Sequence, residues 1–321
     1  MSEVTRIKGS LVEALKAGSM SPAQAVGEFE KITPTQLQTG RIYERKSVED
    51  RITQYRESKQ TRSDIKKNRV PFISPMFIRG LWLSQGLVVV GALSGRAKST
   101  TASNVLAGFL KSVPDKSAIV ISNEEAADAI YERTACILLE YSYSAFFSGG
   151  LGAVDEAKVK KCVEEVIIPR VEIVEEGSFD MAYLEDVQAV LEAAARDRVG
   201  IVVVDYLQII TQSRNEPQLE TFQISKKLGL YLKDYGKKNG VPVVCFVQLN
   251  PESMGKTMQE RIQNDKTFFN HGFLNVEIQP DFETLTTKFI VHKDRFFGFT
   301  GKEVIADFRG GRYVFAGEDT I

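Results

Sequence analysis

The pattern of apolar and polar residues changes along the chain. From residue 86 to about residue 250, short apolar runs alternate with longer stretches that place apolar residues at helical spacing. The runs at residues 201–204 and 243–247 are apolar at every position, which is typical of parallel strands covered by helices on both faces. The alternation therefore predicts an α/β fold with a mostly parallel central sheet.

The same pattern predicts where the elements lie. The predicted strands are residues 86–91, 117–122, 171–174, 200–207 and 241–248, and the predicted helices are residues 98–113, 125–140, 155–166, 181–197 and 219–239. We expect Gly240 to cap the last of these helices. Residues 286–292 alternate, and residues 303–308 and 312–315 flank two glycines, which predicts antiparallel C-terminal strands with a hairpin.

The first 75 residues have a different character. Residues 1–46 carry short helical pieces interrupted by Ser-Pro and Thr-Pro pairs, which predict a small helical N-terminal region. Residues 47–60 predict an amphipathic helix because apolar residues recur at i, i+4 and i+7 in a polar stretch. We therefore expect a helical region at 1–46, a linker helix and basic linker at 47–75, and the α/β domain at 76–321.

Composition and charge narrow the range of functions. A content of 43% apolar residues allows a sizeable core, and a net charge of −1 gives no general sign of nucleic-acid or membrane binding. The first 80 residues are locally basic, with 15 Lys and Arg against 9 Asp and Glu. No apolar run is long enough to cross a bilayer, so we expect no membrane partner. The three cysteines have no metal-like spacing and predict reduced structural thiols in a cytoplasmic protein.

The strongest chemical pattern follows the first strand of the α/β domain. Residues 91–100 read Gly-Ala-Leu-Ser-Gly-Arg-Ala-Lys-Ser-Thr and approach the phosphate-binding pattern G-x-x-x-x-G-K-[ST]. In such a P-loop, backbone N–H groups hold phosphate oxygens, the lysine reaches the β- and γ-phosphates and the hydroxyl holds Mg²⁺. The expected nucleotide-binding residues are Gly95, Arg96, Ala97, Lys98, Ser99 and Thr100. An ordinary strand–turn–helix without a ligand is the alternative.

Two alanines depart from that pattern. Ala92 and Ala97 occupy positions where the pattern has glycine. Glycine is preferred there because it allows positive φ and a close approach of the backbone to phosphate. Ala97 cannot adopt the left-handed conformation without a cost of roughly 1 kcal/mol or more. We therefore expect Ala97 to be the weakest point of the nucleotide site.

Carboxylates at two further strand ends strengthen the nucleotide hypothesis. The apolar run before Asp205 has the form of a Walker B motif, whose aspartate holds magnesium through water. The strand at 117–122 is followed by Asn123, Glu124 and Glu125, where a carboxylate could polarise an attacking water. The alternatives are a strand-terminating aspartate and charges that cap a helix.

Longer segments resemble the DnaB-like replicative helicases. Residues 205–210 are close to their D-Y-L-Q-L motif, and residues 241–250 resemble the strand that ends in S-Q-L-N. Residues 293–301 are similar to K-x-R-x-x-G-x-T-G in the phage helicase-primase version, and Glu124 precedes Arg133 by the family's spacing. The resemblance covers about residues 72–315. It implies a RecA-like P-loop NTPase that forms a ring, usually a hexamer, and translocates on single-stranded DNA.

The resemblance also implies roles for the matching residues of the nucleotide site. Glu124 would be the catalytic base. Asp205 would be the Walker B carboxylate that holds Mg²⁺ through water together with Ser99. Gln248 would sense the γ-phosphate and convey its state to the DNA loops.

Three residues near the C-terminus match the family's positions for contacts with nucleotide. Arg295 would be an arginine finger that acts on the nucleotide of the adjacent subunit, with Lys293 beside it. Phe308 falls where phage enzymes have an aromatic residue that can stack on adenine. Two solvated charges on an edge strand and a core aromatic are the alternatives.

DNA contacts are expected from two loops that face the centre of a ring. The loops at residues 211–218 and 251–270 follow the Asp205 and Gln248 strands, and basic side chains on them can bind phosphates without reading bases. The candidates are Arg214, Lys256, Arg261 and Lys266. The expected partners are single-stranded or forked DNA, further copies of the chain, and a separate primase or polymerase in a bacterial or phage-infected cell.

Three functions remain open from the sequence. The first is a replicative DNA helicase of phage type, driven by ATP or another nucleoside triphosphate with Mg²⁺. The second is a RecA-like ATPase that acts in recombination or DNA remodelling. The third is a catalytically weak ring component or loader. Retention of four residues argues against the third: Glu124, Asp205, Gln248 and Arg295.

Overall fold

The computed structural model describes residues 70–74, 82–83, 86–122, 125–175, 183–194, 198–205, 208, 210–251, 255–262, 266–295 and 298–316, and six isolated positions before residue 57. The chain divides into two units, Met1–Arg62 and Ser63–Ile321. In the first unit, Glu49, Ile52, Thr53 and Arg56 are helical and exposed. The remainder of the predicted linker helix and nearly all of residues 1–46 lie outside the described residues.

The second unit alternates strands and helices, as predicted. Two short strands, β1 at Val70–Pro71 and β2 at Trp82–Leu83, pair with each other. The elements that follow are β3 Gly86–Ala92, α1 Lys98–Ser112, β4 Ser117–Ser122, α2 Ala127–Leu139, α3 Tyr143–Phe147, α4 Ala153–Cys162, β5 Val171–Glu175, α5 Leu184–Ala193, β6 Val199–Asp205, α6 Thr221–Asn239, β7 Pro242–Gln248, α7 Met258–Arg261, α8 Thr267–His271, β8 Leu274–Asp281, β9 Thr286–Asp294, β10 Glu303–Arg309 and β11 Arg312–Phe315.

A mixed sheet organises this unit. Within the described residues it has nine strands in the order β11-β10-β9-β8-β3-β7-β6-β4-β5. The six strands from β8 to β5 are parallel, whereas β9, β10 and β11 are antiparallel to their neighbours. The prediction of a mostly parallel sheet with antiparallel C-terminal strands is confirmed.

Helices cover both faces of the parallel strands, which explains their continuous apolar runs. Alternate side chains point to opposite faces, so Val88 and Val90 lie in one core and Leu87 and Val89 in the other. Helix α1 packs into the first core and α6 into the second. Gly240 ends α6 in the left-handed conformation with a φ of 69°, as expected of a C-cap.

The largest departure from the predicted elements is β8, which the sequence pattern did not indicate. Five consecutive residues of this strand, from Leu274 to Ile278, are buried. Two of them, Asn275 and Glu277, are polar and reach partners elsewhere in the chain. Two short helices, α7 and α8, also interrupt the predicted loop at 251–270. The predicted helix at 155–166 instead changes to a π-helical turn at Val163–Ile167.

Candidate nucleotide site and the opposite sheet edge

Four parallel strands bring the predicted phosphate site together at one edge of the sheet. Strands β3, β7, β6 and β4 are consecutive neighbours, so their carboxyl ends face the same way. Ala92 is level with Gln248, and Asp205 is level with Ser122. We call this the P-loop edge. Glu124 would follow Ser122 there, but it lies outside the described residues.

The loop after β3 contains two left-handed residues. Gly95 has a φ of 65° and Ala97 a φ of 62° with a ψ of 24°. The alanine therefore adopts the conformation that the sequence marked as strained, which costs about 1–2 kcal/mol for a residue with a Cβ. The Ala97 carbonyl accepts hydrogen bonds from the Thr101 amide at 2.9 Å and the Thr101 hydroxyl at 2.8 Å. These bonds hold Ala97 in this conformation at the start of α1.

The start of α1 fits a phosphate group. Among the described residues, no side chain caps this 15-residue helix and no acidic residue lies in its first turn. The first turn of a helix and the positive end of its dipole stabilise a bound anion, and no carboxylate of the described first turn competes for that place here. Lys98 is the first residue of the helix and is 5% exposed. A Cβ placed at Gly95 would meet no atom within 4 Å, so the cradle is open.

The residues present also fit a phosphate-bound Mg²⁺ better than a protein-only metal site. In the part of the chain that the structure describes, no three His, Cys, Asp or Glu side chains are grouped to hold a metal. Ser99 is the second residue of α1, and Asp205 is buried at the end of β6, at the same edge of the sheet. Mg²⁺ usually takes one or two protein oxygens and completes its shell with phosphate and water, which suits such a pair.

Glu125 is engaged in an ion pair with Arg133. The two guanidinium nitrogens of Arg133 donate to the two carboxylate oxygens at 2.6 and 2.9 Å. The Arg133 guanidinium also lies 4.9 Å from the ring centre of Tyr143. Because both its oxygens are engaged, Glu125 is not a suitable general base. The sequence did not indicate this pair. Glu125 lies before the first residue of α2, so helical spacing does not relate it to Arg133.

Gln248 is linked to the neighbouring strand end through Gln208. The Gln208 side chain donates to the Gln248 carbonyl at 3.1 Å and accepts from the Gln248 amide at 3.1 Å. The next residue, Leu249, donates its amide to the Ala92 carbonyl at 2.9 Å. The end of β7 is therefore tied to both the Asp205 strand and the P-loop strand.

Lys293 and Arg295 lie at the opposite edge of the sheet. Strand β9 runs antiparallel to β8, so Asp294 is level with Leu274, which in turn is level with Val88. Val88 precedes Ala92 by four residues, which is about 13 Å of strand. Lys293 and Arg295 therefore do not point at the P-loop of their own chain.

Both cations are held by the carboxyl end of α8. The Lys293 ammonium donates to the carbonyls of Phe269 at 2.9 Å and Asn270 at 3.1 Å. The Arg295 guanidinium donates to the Asn270 carbonyl at 3.1 Å. Burial and then the charge of Arg295 lower the pKa of Lys293 to about 8. The arrangement therefore places two cations at a helix C-terminus, where the dipole favours them.

An unpredicted aromatic residue reaches the P-loop from the turn between β8 and β9. Phe282 is 53% exposed, and the Arg96 guanidinium lies 5.3 Å from its ring centre. Phe308 is half-buried, packs 5.5 Å from the Tyr313 ring and borders the same small cavity as Ala97 and Phe282. Phe308 therefore lies near the P-loop and also packs on the hairpin core. The sequence did offer a signal for Phe282, because an aromatic residue follows Pro280 closely in a stretch that favours a turn.

The four DNA-contact candidates have different surroundings. Lys256 and Lys266 are exposed. Arg214 is exposed but donates to Asp186 at 2.7 Å and lies 3.9 Å from the Tyr183 ring centre. Arg261 is buried against Glu277, with a nitrogen–oxygen distance of 2.7 Å. The expectation that Arg261 meets DNA from an open loop does not fit this geometry, because its guanidinium is already paired inside the domain.

The remaining sequence predictions concern the thiols and the membrane. Cys136, Cys162 and Cys245 are buried free thiols, as predicted. Across the described residues, no helix combines the length and apolar character that a bilayer span requires.

Comparisons with known proteins agree with this geometry. A family model described as the DnaB-like helicase C terminal domain matches residues 76–265. Two proteins named "Replicative DNA helicase DnaB" match, from Mycoplasma pneumoniae with 26% identity over 177 residues and from Mycoplasma genitalium with 24% over 171 residues. Each match covers 53% of this chain and 36% of the relative, so it spans about a third of each relative's length.

Solved structures show the same fold. The ATPase domain of G40P has a TM-score of 0.65 at 13% identity, covering 85% of this chain and 99% of that one. A structure of a DnaB-like replicative helicase and its interactions with primase has a TM-score of 0.64 at 15% identity, covering 97% of this chain and 75% of that one. The RecA-like P-loop fold predicted from the sequence is confirmed.

Proposed function

The chain belongs to the DnaB-like helicase C-terminal domain family, and on this premise we propose that it is an ATP-driven replicative DNA helicase. In this proposal, several copies form a ring, most simply a hexamer, that translocates on single-stranded DNA and unwinds duplex. The geometry of the sheet supports it. A phosphate cradle is built at one edge, while the two candidate finger cations lie at the other.

The proposed nucleotide chemistry uses residues of the P-loop edge. Nucleotide binding is the common property of this domain family, and ATP is the proposed nucleotide. The α1 amides and Lys98 bind its phosphates, and Ser99 and Asp205 hold Mg²⁺, which neutralises phosphate charge. Glu124 accepts a proton from the attacking water. Engagement of Glu125 by Arg133 supports Glu124 as the base.

The proposed finger acts between subunits. Arg295 stabilises the charge that develops on the γ-phosphate bound by a neighbouring copy, and Lys293 lies beside it. Both cations must first leave the carbonyls of Phe269 and Asn270. Hydrolysis would therefore require a ring, or at least two copies in contact.

DNA contact is proposed for the exposed lysines after β7. Lys256 and Lys266 are available to backbone phosphates, and Arg214 becomes available if it leaves Asp186. Gln248 would report the γ-phosphate to this segment through the end of β7. Further proposed partners are forked DNA and a separate primase or polymerase. The comparison structure that names primase supports a primase partner only by analogy.

A comparison of ATP hydrolysis with and without single-stranded DNA tests the function. We expect DNA to raise the rate several-fold, which corresponds to a coupling free energy of about 1 kcal/mol or more. Glu124→Gln should abolish hydrolysis, while Glu172→Gln, an exposed carboxylate on β5, should not. Unwinding of a forked duplex, with ring mass measured in the same buffer, separates a helicase from a RecA-like recombination ATPase. Lack of stimulation by any nucleic acid would contradict the helicase proposal.

A further inference from the structure

A buried charged cluster centred on Glu277 lies between the P-loop strand and the strand that carries the candidate finger. Glu277 is on β8, level with Gly91 of β3, and exposes 3% of its side-chain surface. One carboxylate oxygen accepts from Arg261 at 2.7 Å and from Gln279 at 2.9 Å. The other oxygen lies 2.9 Å from the His292 Nε2. The cluster therefore joins three separate segments of the chain.

The Glu277 carboxylate is held in its charged form. Burial alone would raise its pKa, but hydrogen bonds with His292 and Gln279 and the charge of Arg261 outweigh it and lower the pKa to about 2. A buried ion pair contributes little net stability, because desolvation offsets attraction, and apolar residues of similar size often serve as well. A purely structural role therefore does not by itself account for charges at this point.

His292 occupies a β-bulge in the finger strand. Asn275 pairs with Lys293 and Val276 with Val291, so His292 is the extra residue between the two pairs. A bulge changes the direction of the side chains that follow it, because successive residues of a strand face opposite ways. Here the following residues include Lys293 and Arg295. The bond between Glu277 and His292 therefore lies at the bulge that immediately precedes them.

Arg261 connects the same cluster to the segment after Gln248. Its carbonyl accepts the Asn250 amide at 2.7 Å, and its neighbour Ile262 bridges to Leu249. The far end of this segment, at Asn270, is held by Lys293 and Arg295. The segment that carries Lys256 and Lys266 is thus attached to the finger strand directly at Asn270 and indirectly at Arg261, through Glu277 of β8.

We propose that Glu277 is a positioning residue that couples the DNA-contacting segment after Gln248 to Lys293 and Arg295. The inference deepens the proposed function and depends on it. When DNA phosphates bind Lys256 and Lys266, displacement of that segment pulls Arg261 and loosens the carbonyls of α8. Glu277 conveys the same displacement to the bulge at His292. The finger cations are then released toward the neighbouring nucleotide.

The test breaks the pair between Arg261 and Glu277 in two ways. Single substitutions leave one buried charge without its partner, and a double substitution removes both charges. Arg261→Met and Glu277→Gln each break the pair, and the double substitution Arg261→Met/Glu277→Met replaces it with apolar side chains of similar length. For each variant, the thermal midpoint, the KM for ATP, and kcat with and without single-stranded DNA are measured. We expect the DNA-stimulation ratio to fall about threefold or more in all three.

The double substitution separates a positioning role from a structural one. We expect it to keep the thermal midpoint and the KM for ATP near wild type, while the stimulation ratio stays low. Arg261→Lys, which keeps the cation, should recover much of the ratio. Glu303→Gln is the control, because this exposed carboxylate on β10 pairs only loosely with Lys288, at 3.5 Å; it should change nothing.

Two results would overturn the inference, and they differ from failure of the helicase proposal. Recovery of the full stimulation ratio in the double variant would show that the pair matters only for folding. A wild-type ratio in both single variants would show that the pair does not couple the sites. If wild-type protein is not stimulated by DNA at all, the helicase proposal fails, and the coupling inference fails with it.

Discussion

The two edges of the central sheet differ in how complete they are. At the P-loop edge, one chain supplies the phosphate cradle, Lys98, and the strand ends that carry Asp205 and Gln248. At the opposite edge, Lys293 and Arg295 are equally well held, but by backbone carbonyls of α8. The first edge therefore has the parts of the proposed nucleotide site within one chain. The second edge provides two cations that lie away from the P-loop of their own chain. A neighbouring copy, with nucleotide bound at its P-loop, would complete this arrangement.

Removal of the proposed finger should produce the largest effect. We expect Arg295→Ala to lower kcat for ATP by roughly a thousandfold, because an arginine finger stabilises only the transition state. Nucleotide affinity should remain, since the P-loop edge is intact. Steady-state hydrolysis and binding of a fluorescent ATP analogue measure the two quantities. Arg309→Ala, which removes an exposed arginine on β10, is the control. Equal loss of binding and turnover would place Arg295 in the binding site of its own chain.

Removal of the P-loop lysine should affect binding as well as turnover. We expect Lys98→Ala to weaken nucleotide binding and to lower kcat by about a hundredfold or more, because Lys98 is the first residue of the helix that begins at the phosphate cradle and its charge would stabilise the phosphates. Titration with a fluorescent nucleotide measures the first effect. Lys111→Ala, in the last turn of the same helix, should leave binding unchanged. Unaltered affinity in Lys98→Ala would mean that nucleotide binds elsewhere.

The pH dependence tests the cation beside the finger. Since burial and Arg295 lower the pKa of Lys293 to about 8, the ammonium is lost as pH rises through this value. We expect kcat to fall above pH 8, by up to about tenfold per pH unit if the charge is required. Lys293→Arg should move that fall to higher pH, because arginine stays protonated. A wild-type profile that is flat to pH 9.5 would argue against a role for the charge.

The smallest effect is expected at Ala97. Ala97→Gly removes the Cβ from a residue with a φ of 62° and should stabilise the fold by up to about 1 kcal/mol, less the entropy that glycine adds to the unfolded chain. Nucleotide affinity should be equal or tighter. Ala92→Gly is the matched control, since this alanine is buried in β3 and should only lose stability. A large loss of affinity in Ala97→Gly would show that the loop is built around the methyl group.

The same contrast between edges explains what could be predicted from the sequence. The apolar run that ends at Asp205 predicts a carboxylate at the end of a buried parallel strand, whereas Gln248 is indicated only by the resemblance of its strand to the helicase motif S-Q-L-N. Strand β8 was missed because Asn275 and Glu277 are polar but buried, and their partners lie outside the local pattern. Arg261 was assigned to DNA for the same reason, since its partner Glu277 is on the unpredicted strand. The left-handed Ala97 shows a different limit, because the strain was foreseen but the contacts that hold it were not.

A subunit-mixing experiment tests most directly whether the two edges belong to one site shared between copies. Arg295→Ala subunits keep a complete P-loop edge, and Lys98→Ala subunits keep a complete finger edge. Each variant alone should be nearly inactive in the DNA-dependent ATPase assay. Equal mixtures, allowed to exchange subunits and checked for mixed rings by mass, should regain activity well above the sum of the two. Mixed rings with no regained activity would contradict a shared site.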